Sequence, residues 1–453
     1  MSEIATLDRT ETSPSTNRYL EGNFAPVQVE TTAFDLPVKG AIPEELQGRL
    51  LRIGPNPIDP DPARYHWFLG SGMTHGLRLR GGKAEWYRNR FVVSDGIAPK
   101  LGRPGLPGPH NGFGDNTANT NIVEMGGRTY AIVEAGGLPV ELTDELECVA
   151  RSNLGGSLAH GFTAHPKADP TTGELHAITY QPGLQALSYL VVGKDGRARN
   201  VADIPAPHGP MVHDMAFTGR FAIVLDLPVD FAPDMIGKGF PFAWNDHRTP
   251  RVGLIPRDGD LARAHWVEAP SCYVFHVMNA FDDGNDVVMD VVRHERTFST
   301  DRHGPLEHDP VLVRWRIDLA QGRLTETMLF DRGVEFPRFN DARSGLSYRY
   351  GYSASAIGGG FGPAHKHDVA TGRTQTHDFG PGRSTLEPVF VARDGATAED
   401  DGYVISYVYD ETRNASDVVI LDAQAFEDAP LATIRLPVRV PYGFHGNWIA
   451  DRA

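Results

Sequence analysis

The sequence predicts an all-β fold. Its apolar segments are mostly short and bounded by turn-forming residues, which is typical of β-strands. The 49 glycines and 34 prolines are spread along the chain instead of being gathered in one linker. Long amphipathic helical patterns are scarce, and strands do not alternate with helices as in a parallel α/β sheet. A β-sandwich, a large barrel and a β-propeller all fit this pattern.

Individual strands follow from the apolar runs. One run, 273–277, is rich in β-favouring residues, and the polar segment 282–285 that follows it predicts a turn. The runs 403–409 and 417–422 are predicted to form a hairpin through residues 413–416. The other strand candidates are 128–134, 187–192, 221–226 and 287–292.

Charge and composition exclude several classes of protein. The formal net charge of the 453 residues is −15, which gives no electrostatic support for a nucleic acid partner or an anionic membrane. Cys148 and Cys272 are too few for a disulfide framework, which fits a reducing compartment, and a cytoplasmic location is predicted. No run of about 18 apolar residues occurs. Residues 1–17 are polar and are expected to be a disordered tail.

Four histidines lie in comparable apolar segments: His165, His213, His276 and His445. On its own, His276 is more typical of a core histidine than of a metal ligand. The intervals between the four are 48, 63 and 169 residues, the last close to three intervals of similar size, and one interval suits a four-stranded propeller blade. Histidines on the inner strands of successive blades would meet at the axis. The pattern therefore favours a propeller and one domain over residues 18–453.

Several short motifs follow one another along the chain. They are GNFAPV at 22–27, IGPNP at 53–57, GSGMTHG at 70–76, EAGGLP at 134–139, TAHPKADP at 163–170 and GFHG at 443–446. With these motifs in this order, the chain resembles the carotenoid cleavage oxygenase family. It departs from the family pattern at Ser71, where the family usually has aspartate. The resemblance implies a seven-bladed β-propeller with a cap of loops and short helices over a non-haem iron on the axis.

The resemblance also implies roles for individual residues. His165, His213, His276 and His445 would be the iron ligands. Glu134 would orient His213, Glu335 would orient His276, and Glu387 would orient His445, whereas His165 would lack a carboxylate partner. A metal-bound imidazole has a second ring N–H that needs an acceptor, and a carboxylate there fixes the ring orientation and raises ligand basicity.

Four imidazoles suit iron, copper, zinc or nickel, not magnesium or calcium. Rigid strands could hold octahedral Fe(2+) with two open positions for dioxygen. The glycine-rich segment 358–362 does not lie between a strand and a helix, so no nucleotide cofactor is indicated. We therefore predict an iron-dependent dioxygenase that cleaves a carbon–carbon double bond of an apolar alkene with O2 and makes both ends carbonyls.

The choice of alkene depends on one position in particular. Stilbene-cleaving members of the family have a lysine directly before the first glutamate and a tyrosine upstream. Here that position is Val133, and the stretch 94–122 has no tyrosine, so a carotenoid or apocarotenoid is favoured. The alternative is a stilbene or phenylpropenoid, as in lignostilbene or isoeugenol cleavage. Phe68 matches a family position that lines the substrate cavity.

The sequence supports three further interpretations. The apolar, proline-broken segment 227–244 is predicted to be an irregular loop that either contacts a membrane peripherally or packs as a cap. His365 and His367 could imitate a metal pair, but a solvated turn is favoured. A propeller that binds an apolar ligand without catalysis is the alternative from another functional class.

Overall fold

The computed structural model describes residues 17–111 and 117–451. Most of the expected tail, residues 1–16, lies outside the described residues. Asn17, its last residue, is buried, and its side-chain amide donates to the carbonyl oxygen of Tyr65 (2.8 Å).

Within the described residues the regular structure consists of strands and short 3₁₀ helices, and no α-helix occurs. The 3₁₀ helices span Arg18–Leu20, Gly22–Phe24, Trp67–Leu69, Pro233–Met235, Leu261–Arg263 and Asp341–Arg343. The strands are β1 (Thr32–Ala33), β2 (Val38–Gly40), β3 (Gly48–Pro55), β4 (Gly72–Arg80), β5 (Lys83–Phe91), β6 (Asn121–Met125), β7 (Arg128–Ile132), β8 (Val140–Leu142), β9 (Cys148–Arg151), β10 (Lys167–Ala168), β11 (Leu175–Thr179), β12 (Ala186–Val192), β13 (Ala198–Pro205), β14 (Met215–Phe217), β15 (Phe221–Asp226), β16 (Val229–Phe231), β17 (Phe242–Trp244), β18 (Arg251–Pro256), β19 (His265–Glu268), β20 (Tyr273–Asp283), β21 (Asp286–His294), β22 (Val311–Asp318), β23 (Arg323–Phe330), β24 (Val334–Phe339), β25 (Tyr350–Ile357), β26 (Gly360–Asp368), β27 (Arg373–His377), β28 (Arg383–Thr385), β29 (Val389–Ala392), β30 (Gly402–Asp410), β31 (Ala415–Asp422), β32 (Ala432–Arg435) and β33 (Gly446–Ala450).

Seven antiparallel sheets form the blades of a β-propeller, which confirms the predicted fold class. Blade 1 has the strand order β1-β5-β4-β3-β33, and blade 7 has the order β2-β32-β31-β30-β28, with β29 also paired to β30. Blades 2, 3, 5 and 6 are the consecutive sets β6–β9, β10–β13, β20–β23 and β24–β27. Blade 4 consists of β14, β15, β18 and β19, and the hairpin β16–β17 is inserted between its second and third strands.

Both ends of the described chain close the ring. Strand β33 pairs with β3 in blade 1, with Gly446 opposite Arg52 and Ala450 opposite Gly48. Near the other end, β2 adds to β32 in blade 7. Because each terminal strand completes a blade made mostly by the other end of the chain, the first and last blades are held together by backbone hydrogen bonds.

Burial follows the position of a strand within its blade. In blade 5, the first strand β20 is buried over its first eight residues, whereas the fourth strand β23 is largely exposed. An inner strand is packed between neighbouring blades on both faces, so its sequence is continuously apolar instead of alternating. This packing explains why 273–277 reads as a run of β-branched and aromatic residues.

The strands predicted from apolar runs are confirmed, except that β7 ends at Ile132, two residues before the end of the predicted run 128–134. The run 221–226 matches β15, and the runs 403–409 and 417–422 form the antiparallel hairpin β30–β31. The turn predicted near 282–285 connects β20 to β21. No helix in the described part of the chain has the length and apolar character needed to cross a membrane.

A close backbone contact holds the last segment against blade 1. A Cβ atom on Gly54 would lie 2.4 Å from the Cα atom of Gly443, and Ile53 N donates to the carbonyl oxygen of His445 (3.0 Å). We expect Gly54→Ala to lower the free energy of unfolding by about 1–3 kcal/mol, because neither backbone can move away without breaking these hydrogen bonds. Urea unfolding followed by circular dichroism measures the change.

Gly360→Ala is the matched control. Its added Cβ would have its nearest heavy-atom neighbour at 3.7 Å, an ordinary contact. We expect its unfolding free energy to stay within about 0.5 kcal/mol of the parent. Equal effects of the two substitutions would contradict the proposed close packing at Gly54.

Candidate metal centre

Four buried histidines meet where the innermost strands of four blades come together: β10, β14, β20 and β33. His165 lies two residues before β10, His213 two residues before β14, His276 within β20 and His445 directly before β33. One ligand nitrogen from each can be chosen so that all four lie within 4.8 Å of one another. The Nε2 atoms of His165 and His213 are 3.1 Å apart, and so are those of His276 and His445.

Three carboxylates contact the outer nitrogen of three of these rings. Glu134 accepts from His213 Nδ1 (2.7 Å), Glu387 accepts from His445 Nδ1 (2.9 Å), and Glu335 accepts from His276 Nδ1. Because an ionised carboxylate can only accept, each Nδ1 carries the proton and each Nε2 presents its lone pair to the centre. These pairs are the ones that the family resemblance implies.

His165 differs from the other three. Within the described residues, no carboxylate lies at hydrogen-bonding distance from its ring, and its backbone N–H donates to Thr163 Oγ1 (3.3 Å). Its pKa is held well below the usual value by burial and by the three neighbouring imidazoles. The ring is therefore neutral, as a metal ligand must be.

Two residues that the sequence did not single out complete the carboxylate contacts. His294 Nε2 bonds the second oxygen of Glu335 (2.8 Å), and Arg338 lies 3.3 Å from Glu387. The backbone N–H of Gly446 also donates to Glu387 (2.7 Å). The hairpin register between β20 and β21 could have indicated His294, which pairs with Tyr273, but nothing in the sequence pattern links Arg338 to Glu387.

These contacts set the ionisation of the site. Burial raises the pKa of Glu387, but the charges of Arg338 and His445 and the hydrogen bonds outweigh it and lower that pKa to about 2. Glu335 is likewise held below its usual pKa because His276 and His294 outweigh its burial. Both carboxylates are therefore ionised and favour a cation at the centre.

The pKa values of two histidines paired with these carboxylates shift in opposite directions. Burial lowers the pKa of His445 to about 4, against the opposing charge of Glu387. For His276, burial also lowers the pKa, but the adjacent Glu335 raises it by more, so the net shift is upward. A proton therefore competes with a metal more strongly at His276 than at His445.

The backbone turns sharply after two of the carboxylates. Ala135 and Phe336 directly follow Glu134 and Glu335, and both have a φ of +55°. Non-glycine residues seldom adopt this left-handed conformation, and such positions cluster at functional sites because the surrounding structure must hold them. Glu134 lies two residues beyond the end of β7, not inside the strand as the apolar run indicated.

An apolar cavity of 270 Å³ opens onto the histidines. Phe68 and Val133, the two candidate substrate residues, both line it. The Phe68 ring stacks 6.2 Å from the ring of His213 and packs edge-on against Phe275. Other aromatic residues in the wall are Phe240 and Phe242 of the segment 227–244 and five that the sequence did not indicate: Trp67, Tyr180, Phe336, Phe361 and Phe444.

The segment 227–244 is more regular than predicted. Its ends form the hairpin β16–β17, because Val229 pairs with Trp244 and Phe231 pairs with Phe242. Phe240 and Phe242 are buried and face the apolar cavity, which is the cap packing considered above. The prediction of an irregular loop is therefore wrong at both ends of the segment.

The prediction of a solvated turn at His365 and His367 is wrong. Both histidines are buried in β26. His365 bonds Thr376 (3.0 Å), and His367 bonds Ser353 (2.8 Å) and Thr374 (3.0 Å). Hydroxyl groups on neighbouring strands satisfy these imidazoles. They belong to no metal-binding group in the described part of the chain.

Comparison with known proteins identifies the family. The family model described as "Retinal pigment epithelial membrane protein" matches residues 24–450. A carotenoid cleavage oxygenase of Mycobacterium tuberculosis is 40% identical over 97% of this chain and 98% of its own length. The chain belongs to the carotenoid cleavage oxygenase family. It is therefore an enzyme of the carotenoid-cleavage oxygenase type.

One further relative and two solved structures are also similar. The carotenoid 9,10(9',10')-cleavage dioxygenase 1 of Arabidopsis thaliana is 33% identical over 96% of this chain and 90% of its own length. The crystal structure of cobalt-substituted Synechocystis ACO superposes with a TM-score of 0.83 at 28% identity, covering 94% and 97% of the two chains. The lignostilbene dioxygenase of Pseudomonas brassicacearum superposes with a TM-score of 0.87 at 26% identity, covering 97% and 100%.

The four histidines fit a divalent metal ion. A metal–nitrogen bond of about 2.1 Å places two ligand nitrogens at right angles about 3.0 Å apart, close to the Nε2 separations in both pairs. Neutral nitrogen donors with ionised carboxylates one layer further out are the donor set of iron, copper, zinc or nickel. A hard cation such as magnesium would need oxygen ligands in their place.

Removing a carboxylate charge tests its role at this centre. We expect Glu387→Gln to weaken Co(II) binding about 10–100-fold, because the amide no longer raises the basicity of His445. Competition with a chelator of known affinity measures the dissociation constant. Glu147→Gln, which alters an exposed ion pair with Arg90, is the control and should bind as the parent does. Equal affinities for both variants would contradict the role of Glu387.

Two buried histidines provide a second, matched comparison. We expect His165→Ala to abolish stoichiometric metal binding, measured by elemental analysis after dialysis. His367→Ala should keep the metal, although losing its hydroxyl partners lowers stability by about 1–3 kcal/mol. Loss of metal from the His367 variant alone would refute the assignment of the centre.

Proposed function

We propose that the protein is a non-haem Fe(II) dioxygenase that cleaves a carbon–carbon double bond of a carotenoid or apocarotenoid with O2, giving two carbonyl products. The observation that carries the proposal is the apolar, aromatic-lined cavity that opens onto His213, His276 and His445. An alkene without charge could lie there with its double bond beside the ligand nitrogens.

The proposal assigns each candidate residue a role. His165, His213, His276 and His445 hold the iron, and Glu134, Glu335 and Glu387 orient three of them. The closure of the ring by β33 and β2 supports one catalytic domain over residues 18–453. When bound, Fe(II) would supply a centre for dioxygen activation, with the alkene providing the electrons.

The protein side chains bind and orient the substrate. Phe275 and Phe444 each pack edge-on against Phe68, which stacks beside His213, so the three rings form a stiff wall against which a flat polyene can lie. The same rings exclude water from the reacting atoms. No protein group needs to transfer a proton, because both carbonyl oxygens come from O2.

Val133 supports a polyene over a phenol. Its isopropyl group lies in the cavity wall next to Glu134 and can neither deprotonate nor hydrogen-bond a hydroxyl group. The relative with 40% identity is named a carotenoid cleavage oxygenase, which also favours a polyene substrate.

The stilbene or phenylpropenoid alternative has two observations in its favour. Tyr180 lines the same cavity, and the lignostilbene dioxygenase superposes over the whole of its length. Burial and the nearby Glu134 raise the pKa of Tyr180 well above its usual value, so its hydroxyl group stays protonated. It could donate a hydrogen bond to a phenol but could not remove the phenolic proton.

The apolar mouth supports a peripheral membrane contact as a further part of the proposal. Ile236, between β16 and β17, is 62% exposed, and Leu69, in the cavity wall, is 48% exposed. The exposed side chains of Leu69, in the wall of the apolar cavity, and of Ile236, in the β16–β17 hairpin, could contact a bilayer from which the substrate is taken. The cytoplasmic location stays a prediction.

The direct test is a substrate panel. Protein purified without oxygen and loaded with Fe(II) is incubated with O2 and a C40 carotenoid, an apocarotenal, a hydroxystilbene or isoeugenol, and products are identified by mass. We expect paired carbonyl products from the polyenes only. Aromatic aldehydes alone would support the alternative substrate class, and a reductant required at every turnover would refute the mechanism.

Val133→Lys sharpens that test. A lysine there would place an ammonium group in the apolar wall, and we expect kcat/KM for the apocarotenal to fall at least about tenfold. Val133→Leu keeps the wall apolar and should retain most of the activity. If the lysine variant cleaved the polyene as well as the parent does, Val133 would not contact the substrate.

A further inference from the structure

A second cavity, of 430 Å³, also reaches the histidines. It is lined by His165, His276 and His445, whereas the apolar cavity is lined by His213, His276 and His445. His165 therefore faces only the second cavity, and His213 faces only the first. The histidine cluster separates two compartments that reach the surface by different routes.

The two cavities differ sharply in chemistry. The second one, called the polar passage below, is lined by four carboxylates and two cationic side chains, together with two amides: Glu124, Asp214, Asp341, Glu387, Lys167, Arg338, Asn121 and Asn447. In the apolar cavity the only carboxylates in the described wall are Glu134 and Glu335. The wall of the polar passage also contains apolar residues such as Leu175 and Trp448, but it holds more carboxylate and amide oxygens than the apolar cavity, where both carboxylates contact ligand histidines.

Ion pairs fix the inner part of the polar passage. Lys167 Nζ lies 2.8 Å from Asp214, which also accepts from the backbone N–H of Val277 (2.8 Å). Arg338 bonds the carbonyl oxygen of Gly446 (2.9 Å) and contacts Glu387. These side chains are held in place beside the histidines, so the inner passage keeps its polar surface without collapsing onto the ligands.

The outer part of the polar passage is acidic. Glu124 and Asp341 are exposed, as are the wall residues Ala168 and Ala450. The Asp341 side chain is 64% exposed and lies 3.6 Å from Arg338. Carboxylates at a mouth raise the local concentration of cations and speed their association, more strongly at low ionic strength.

We propose that the polar passage is the route by which a divalent metal ion reaches the four histidines, separate from the route of the substrate. A hydrated cation loses its water unfavourably among aromatic side chains, whereas carboxylate and amide oxygens can replace that water. His165, which faces only this passage, receives the ion first. The inference rests on the metal centre of the proposed function.

The rate of metal uptake tests the route. Metal-free protein is mixed with Co(II), the reaction is stopped with excess chelator at set times, and bound cobalt is measured by elemental analysis. Ala168→Trp places a large ring at the outer end of the polar passage, and we expect uptake to slow by about tenfold with the final cobalt content unchanged. Leu69→Trp, at the wall of the apolar cavity, is the matched control and should load at the parental rate.

A charge variant tests the same route without adding bulk. The double substitution Glu124→Gln and Asp341→Asn should slow uptake by roughly threefold to tenfold at low salt. The difference should disappear at high salt because the field of exposed carboxylates is screened. This variant keeps the test decisive if the tryptophan variant does not fold, which circular dichroism will show.

Three outcomes would overturn the inference. Slower loading in the Leu69 variant but not in the Ala168 variant would assign metal uptake to the apolar cavity. Parental rates in the Ala168 variant and in the charge variant would show that the passage does not limit uptake. Failure of the parent protein to take up any Co(II) would remove the metal centre itself, and the proposed function with it.

Discussion

Three hydrogen bonds from imidazole to carboxylate hold the centre of the molecule in its arrangement. A buried ionised carboxylate is strongly unfavourable unless its oxygens are satisfied, and each ring must keep Nε2 free. A proton on Nδ1 of His213, His276 and His445 donates to the carboxylate and leaves Nε2 of the same ring free. Four lone pairs then face one another with no proton between them in the neutral state, which is favourable only around a cation. The blades supply the rigid strands that keep the rings in place.

The carboxylates depend in turn on groups further from the axis. Glu335 is shared between His276 on β20 and His294 on β21, so one carboxylate ties two strands of blade 5 to the start of blade 6. Glu387 is held by Arg338 of blade 6 and by the backbone of β33 in blade 1. The hydrogen bonds of the metal centre therefore also connect blades across the ring, and metal binding and ring closure stabilise the same arrangement.

The histidine cluster also divides the interior by polarity. Aromatic rings line the cavity that His213 faces, and charged and amide side chains line the cavity that His165 faces. An apolar alkene and a hydrated cation have opposite solvation requirements, so a single cavity would serve one of them poorly. Placing the ligands at the boundary lets each compartment have the surface that suits one ligand. The exposed carboxylates of Glu124 and Asp341 in the polar passage and the exposed Leu69 in the wall of the apolar cavity continue this division to the surface.

The sequence by itself determined the strand runs, the hairpin turns, the family and the four histidines with their three carboxylates, because these lie in local patterns and short motifs. The tertiary structure decided that His294 and Arg338 complete the carboxylate contacts, that His365 and His367 are buried with hydroxyl partners, and that 227–244 folds into a hairpin against the cavity. Local sequence patterns could not show these features, because the burial of a side chain and its long-range partners depend on how the blades pack side by side. Glu387 and Gly446 are 59 residues apart, and only closure of the ring by β33 brings them into contact.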